Sequence, residues 1–117
     1  MTLLTIVLMA LVAFEHVYFL ILEMFFWTKP KGIKTFGLKS KTFAEDTKVL
    51  AANQGLYNGF LAAGLLYAII QKDINTALFF LVCVTIAGIY GAYSTKQIKL
   101  FYVQSIPAIA ALIAIFV

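Results

Sequence analysis

Four apolar stretches, each long enough to cross a bilayer and each bounded by polar links, constrain this chain more than any other feature. A helix rises about 1.5 Å per residue, so roughly 20 apolar residues cross a hydrocarbon core of about 30 Å. The stretches run over 2–27, 49–70, 76–93 and 100–117 of the 117 residues. Residues 63% hydrophobic and only 12% charged leave too little polar surface to cover a core from water; a soluble domain keeps about a quarter charged. Lipid is therefore the expected solvent. The fold expected is all-α: one integral membrane domain over 1–117, an up-down bundle of four helices joined by short links. The first stretch is longer than a signal-peptide core and lacks a basic leader, so it is expected to remain as the first spanning helix.

The basic residues set the expected orientation. All nine are lysines, where planar recognition of phosphates or guanine edges would use arginine, so nucleic acid is not an expected partner. Segment 28–48 holds Lys29, Lys31, Lys34, Lys39, Lys41 and Lys48, the link 71–75 holds Lys72, and the segment 95–99 holds Lys96 and Lys99. With four spans the first and third links share a side, and the positive-inside rule puts them in the cytoplasm with both termini outside. Pro30, Gly32 and Gly37 punctuate the first link as a loop, and Thr42 with Glu45 has capping-box spacing, which starts the second helix near Phe43. Cys83 is the single cysteine; it excludes an internal disulfide and reads as a small buried thiol.

Ionisable and amide side chains inside apolar stretches are the candidates for function, because each is costly there. Glu15, His16 and Glu23 fall within one broad arc of the first helix. Counted back from Trp27, read as an interfacial anchor, Glu15 lies about 18 Å deep and Glu23 about 6 Å. The second helix presents Asn53, Gln54, Tyr57 and Asn58 on one face; Tyr90 lies near the end of the third. Gln104 shares a face with Pro107, which should bend the fourth helix or free a carbonyl one turn earlier. Almost all these groups fall on the lysine-rich side, and the opposite halves are apolar. The expectation is a polar pocket opening to the cytoplasm beneath a dry outer plug. With no lysine at that depth, a carboxyl there must be protonated, held by amides and tyrosines, or neutralised by a cationic ligand.

Several chemistries compete for that cluster. One histidine without metal-ligand spacing is a poor metal signature, and paired-histidine haem is excluded by count, so no metal or cofactor is expected. Glu15 and His16 are instead a candidate proton-handling centre. Tyr18, Glu23, Asn53, Gln54, Tyr57, Asn58, Tyr90 and Gln104 would line a site for a small lipophilic or cationic molecule, with catalysis left open. A structural reading stands beside it: amides glue spanning helices, and the series Gly55, Gly59, Ala63 and Cys83, Ala87, Gly91 allow close packing. An accessory membrane subunit, in which the loop lysines matter more than the buried groups, is a further reading.

The strings Glu15-His16-x-Tyr18, Leu22-Glu23-Met24-Phe25-x-Trp27, Phe36-Gly37-Leu38, Asn53-Gln54-Gly55-Leu56-Tyr57-Asn58-Gly59, Gly88-x-Tyr90-Gly91 and Gln104-x-x-Pro107-Ala108 together resemble the bacterial four-helix membrane proteins grouped as domain of unknown function 1304. The resemblance covers essentially the whole chain; it implies the four-helix fold and the bacterial cytoplasmic membrane and supplies no activity. A looser likeness is to small multidrug-resistance transporters, to which only Glu15 maps, as a glutamate in the middle of the first helix. That likeness implies a proton-coupled exporter of cationic compounds, working as a homodimer.

Overall fold

The protein, seen in a computed structural model, is described from Met1 to Val117 and is helical almost throughout, with no strand. Five elements follow one another: α1 (Leu3–Phe25), α2 (Pro30–Phe36), α3 (Lys41–Gln71), α4 (Ile74–Thr95) and α5 (Ile98–Ile115). Three of them, α1, α4 and α5, are long and apolar enough to cross a membrane. The second expected span lies within α3, a helix of 31 residues. It falls outside that set because Asn53, Gln54 and Asn58 dilute its apolar run. The chain divides into two compact units, one of Met1–Phe14 with Leu61–Val117 and the other of Glu15–Phe60.

The interior is mainly apolar, with Met9, Val12, Leu22, Leu65, Leu81 and Val84 among its buried side chains, but the surface is apolar as well. The enclosed polar side chains are Thr5, His16, Glu23 and Ser105, while Leu3, Leu4, Val7, Leu11 and Phe14 stand exposed along one stripe of α1. A buried polar group and an exposed apolar stripe are the informative departures from ordinary surface chemistry. On α4, Phe79, Val82, Ile86 and Ile89 form an exposed apolar stripe of their own.

In the Glu15–Phe60 unit, the lysine-rich segment expected as a loop contains a helix. Pro30 starts α2 where its missing N–H costs nothing, and Gly37 ends it in the left-handed region at φ 61°. Gly32 is forced to be glycine by packing, since a Cβ there would run into the Phe26 carbonyl. The α3 start is also corrected: Ser40, not Thr42, is its cap, the Ser40 hydroxyl accepting the Phe43 N–H at 2.9 Å. A serine three residues before that amide meets the geometric need two residues earlier than the Thr42–Glu45 pair.

In the other unit, α4 and α5 form a tight hairpin. Asp73 caps α4, accepting from the Asn75 and Thr76 N–H groups at 3.0 and 3.3 Å and from the Thr76 hydroxyl at 2.6 Å. These bonds hold its carboxyl below the usual aspartate range. The α4 seam is Ala77, Leu81, Val84 and Gly88, facing a run of small residues on α5 that includes Ser105, Ala108, Ala111 and Ala114. This corrects the expected seam through Cys83, Ala87 and Gly91: the close approach is at Gly88, where a Cβ would collide with Ser105, whereas Gly91 has ordinary spacing to Leu100. Ser105 donates to the Thr85 carbonyl at 2.9 Å across that contact. Pro107 leaves the expected mark as a π-helical stretch, Phe101–Ser105, just before it. The Ile106 N–H bonds the Phe101 carbonyl, five residues back, so the wider turn rearranges bonding next to the proline.

Candidate functional site

The site is best built from the Glu15–Phe60 unit, because eight of the ten sequence-selected residues fall there. Two small residues bring α3 against α1. A Cβ on Gly55 would come within 2.7 Å of Met24 Cγ and 3.1 Å of Glu23 Cβ, and one on Gly59 within 2.6 Å of Leu20 Cδ1. The expected packing role of Gly55 and Gly59 is thus seen, and its effect is to deliver α3 amides to an α1 carboxyl.

Glu23, only 3% exposed, receives the Asn58 Nδ2–H at 2.5 Å on Oε1 and a second side-chain hydrogen bond from Gln54. Two amide donors four residues apart stand on adjacent turns of α3, which suits a single acceptor. The carboxyl therefore has its partners from within the protein. Amide donors of this kind lock helices together as well as they orient a ligand.

Glu15 is different. It lies two turns before Glu23, about 12 Å along the helix, and is half-buried. Its Oε1 is enclosed yet takes part in no hydrogen bond. The protein's ion pair is elsewhere, a solvent-exposed Lys48–Glu45 contact at 3.5 Å worth little. His16 is fully buried, its ring edge-on to Phe19 with centroids 5.3 Å apart. Being consecutive, Glu15 and His16 leave the helix about 100° apart.

The remaining candidates are dispersed. Asn53, Tyr18 and Tyr57 are exposed, Tyr57 lying 6.2 Å from the Phe60 ring. Tyr90 is also exposed, and Gln104 is half-buried in the π stretch of α5; both belong to the other unit. No three His, Cys, Asp or Glu side chains converge on a point that could hold a metal. An open surface groove is lined by Ile89, Ala92, Tyr93, Lys96, Ile98 and Phe101, all outside the selected set.

Two polar arrangements escaped sequence reasoning. Trp27, expected as an interfacial anchor, donates its indole N–H to the Thr47 hydroxyl at 3.0 Å and lies 5.1 Å from the Phe36 ring. Thr47 in turn donates to the Phe43 carbonyl at 2.7 Å. The second is the buried Ser105–Thr85 bond. Its only sequence signal is a serine two residues before a proline, which does not reveal the helix it faces.

The class these features define is a small all-α protein built on helices of membrane-spanning length, with one enclosed carboxyl, Glu23, met by an amide of α3. The chain belongs to the family described as protein of unknown function DUF1304, whose model matches residues 10–116. It is similar to an uncharacterised protein, YpaA, of Lactococcus lactis subsp. lactis (strain IL1403), with 33% identity over 119 residues covering 99% of each chain. No solved structure matches it.

Proposed function

We propose that this protein is an integral membrane binding protein for a small lipophilic or amphipathic molecule whose polar head donates a hydrogen bond or carries positive charge, with the Glu15 carboxyl as its acceptor. The observation that carries the reading is the enclosed, unpartnered Glu15 Oε1 on a helix of spanning length. Such an atom forfeits about 1–3 kcal/mol unless something supplies a donor. A cationic head would supply it, and His16, on the next residue, stands ready to take part in proton handling. Glu23, Asn58 and Gln54 join α1 to α3 two turns further along the helix from Glu15.

The reading includes four spans as an up-down bundle, with segments 28–48 and 95–99 in the cytoplasm, both termini outside and the site open to the cytoplasmic leaflet. Two observations support α3 as the fourth. Its length is about 46 Å at helical rise, and its apolar residues are spread around the helix rather than gathered on one face; an interfacial helix needs a strong apolar face. With α3 crossing, eight of nine lysines share one side; without it the split is seven to two. The positive-inside bias favours the former.

The test is binding of a dansyl-labelled decylamine to the full chain in proteoliposomes, read as saturable fluorescence. Wild type and Glu23→Gln should bind, whereas Glu15→Gln should lose at least tenfold in affinity. Equal binding by wild type and Glu15→Gln would sink the reading.

A further inference from the structure

The groove at the turn between α4 and α5 has the composition of a lipid site. Its walls are Ile89 and Ala92 on α4 and Ile98 and Phe101 on α5, and its polar groups are the Tyr93 phenol and the Lys96 ammonium. No carboxylate lines it, so its one charge is positive. It is an open groove, Ile89, Tyr93 and Ile98 being exposed along it, so an acyl chain could lie against it from the bilayer. The hydroxyls of Ser94 and Thr95 are turned back onto the Gly91 carbonyl at 3.4 and 2.6 Å. That leaves Tyr93 and Lys96 to meet whatever lies at the rim.

Lys96 is held there at a cost. It is the residue that ends α4, in the left-handed region at φ 58°, with the Gln97 N–H bonding the Ala92 carbonyl behind it. Glycine is the residue that suits this cap, and an L side chain is strained there. A lysine in its place puts a positive charge at the negative end of the helix dipole and at the edge of the apolar groove. The 22 residues of α4 span about 33 Å, so a helix that crosses the bilayer brings Lys96 to headgroup level on whichever side it ends.

We propose that this groove is a binding site for an anionic phospholipid, the acyl chain lying against Ile89, Ala92, Ile98 and Phe101 and the phosphate meeting Lys96 and Tyr93. The charge of the rim and the apolar walls are complementary to the two halves of that molecule. From the preceding reading the site takes only that α4 crosses the membrane; it uses neither Glu15 nor the decylamine probe, so either can fail alone.

Native mass spectrometry of the full chain, released from mixed micelles of phosphatidylglycerol and phosphatidylcholine, tests it. Wild type should retain phosphatidylglycerol about fivefold over phosphatidylcholine, the factor one interfacial lysine supplies. Lys96→Gly and Lys96→Gln should both abolish that preference; the glycine variant suits the left-handed cap, so its folding is not in question. Ala92→Phe, which fills the groove, should reduce retention of both lipids. Lys72→Gly, at the left-handed end of α3 with φ 54° in the wild type, should leave the preference intact. Absence of a preference in wild type, equal loss in Lys72→Gly and Lys96→Gly, undiminished retention in Ala92→Phe, or displacement of the lipid by an equal concentration of glycerol phosphate would each overturn the proposal.

Discussion

At the scale of single residues, the two α1 glutamates behave as opposites. Glu23 is enclosed but supplied with amide donors, whereas Glu15 keeps an enclosed oxygen without one. Removing a donor from the first should therefore resemble the native state of the second. Asn58→Ala should destabilise the protein by about 1–3 kcal/mol, the cost of an unmet buried acceptor, measured by thermal unfolding in detergent micelles. Asn53→Ala, at an exposed position five residues earlier, should stay within about 0.5 kcal/mol of wild type. Asp73 provides the pH prediction. Its folded carboxyl titrates below the unfolded one, so the stabilisation is complete above about pH 4 and is lost as pH falls through the lowered folded value. Asp73→Asn keeps an acceptor for the helix cap without a titrating group. The stability difference between wild type and this variant should shrink on acidification, followed by unfolding temperature from pH 7 to pH 2.

At the scale of elements, the ends of helices are where sequence reasoning and structure part. Local spacing offered Thr42 and Glu45 as a capping box, yet Ser40 makes the cap. Ser40→Ala should then cost about 1 kcal/mol and Thr42→Ala only a few tenths, a difference readable in unfolding temperature. Segment 28–48 was legible as polar and punctuated, but Pro30 and Gly37 turn out to bracket a helix as first-turn proline and terminal glycine. Those residue types serve loops and helix ends alike, so their identity alone does not decide between them. The spacing of small residues is ambiguous in the same way. Gly55 and Gly59 make the close contact expected of them, while on α4 Gly88 makes it instead of the Cys83, Ala87, Gly91 series. Each series occupies a credible stripe, and only the position of Ser105 selects one.

At the scale of the whole molecule, the prediction concerns the number of crossings. In a Cys83→Ser background, single cysteines at Lys34, Lys72 and Lys96 can be tested for labelling by a membrane-impermeant maleimide in intact cells. Four crossings require Lys72→Cys to be labelled from outside and the other two to be protected. Labelling of Lys96→Cys with protection of Lys72→Cys would mean that α3 does not cross. The candidate site is legible in part at this scale: sequence brought Glu23, Asn58 and Gln54 under suspicion, and the fold joins them. Tyr18 and Tyr57, chosen with them, are exposed. Helical periodicity orders residues around one axis without saying where the neighbouring axis lies.

What the sequence by itself determined is the all-helical build, the presence of segments of membrane-crossing length and the family, because these follow from summed hydropathy and from strings of neighbouring residues that no packing can alter. What only the tertiary structure decided is which polar atoms are met and which are left: amides for Glu23, none for one oxygen of Glu15, a serine against Gly88, and a lysine at the edge of an open apolar groove. Each of these depends on the rotation of one helix against another, set by side chains far apart in the chain.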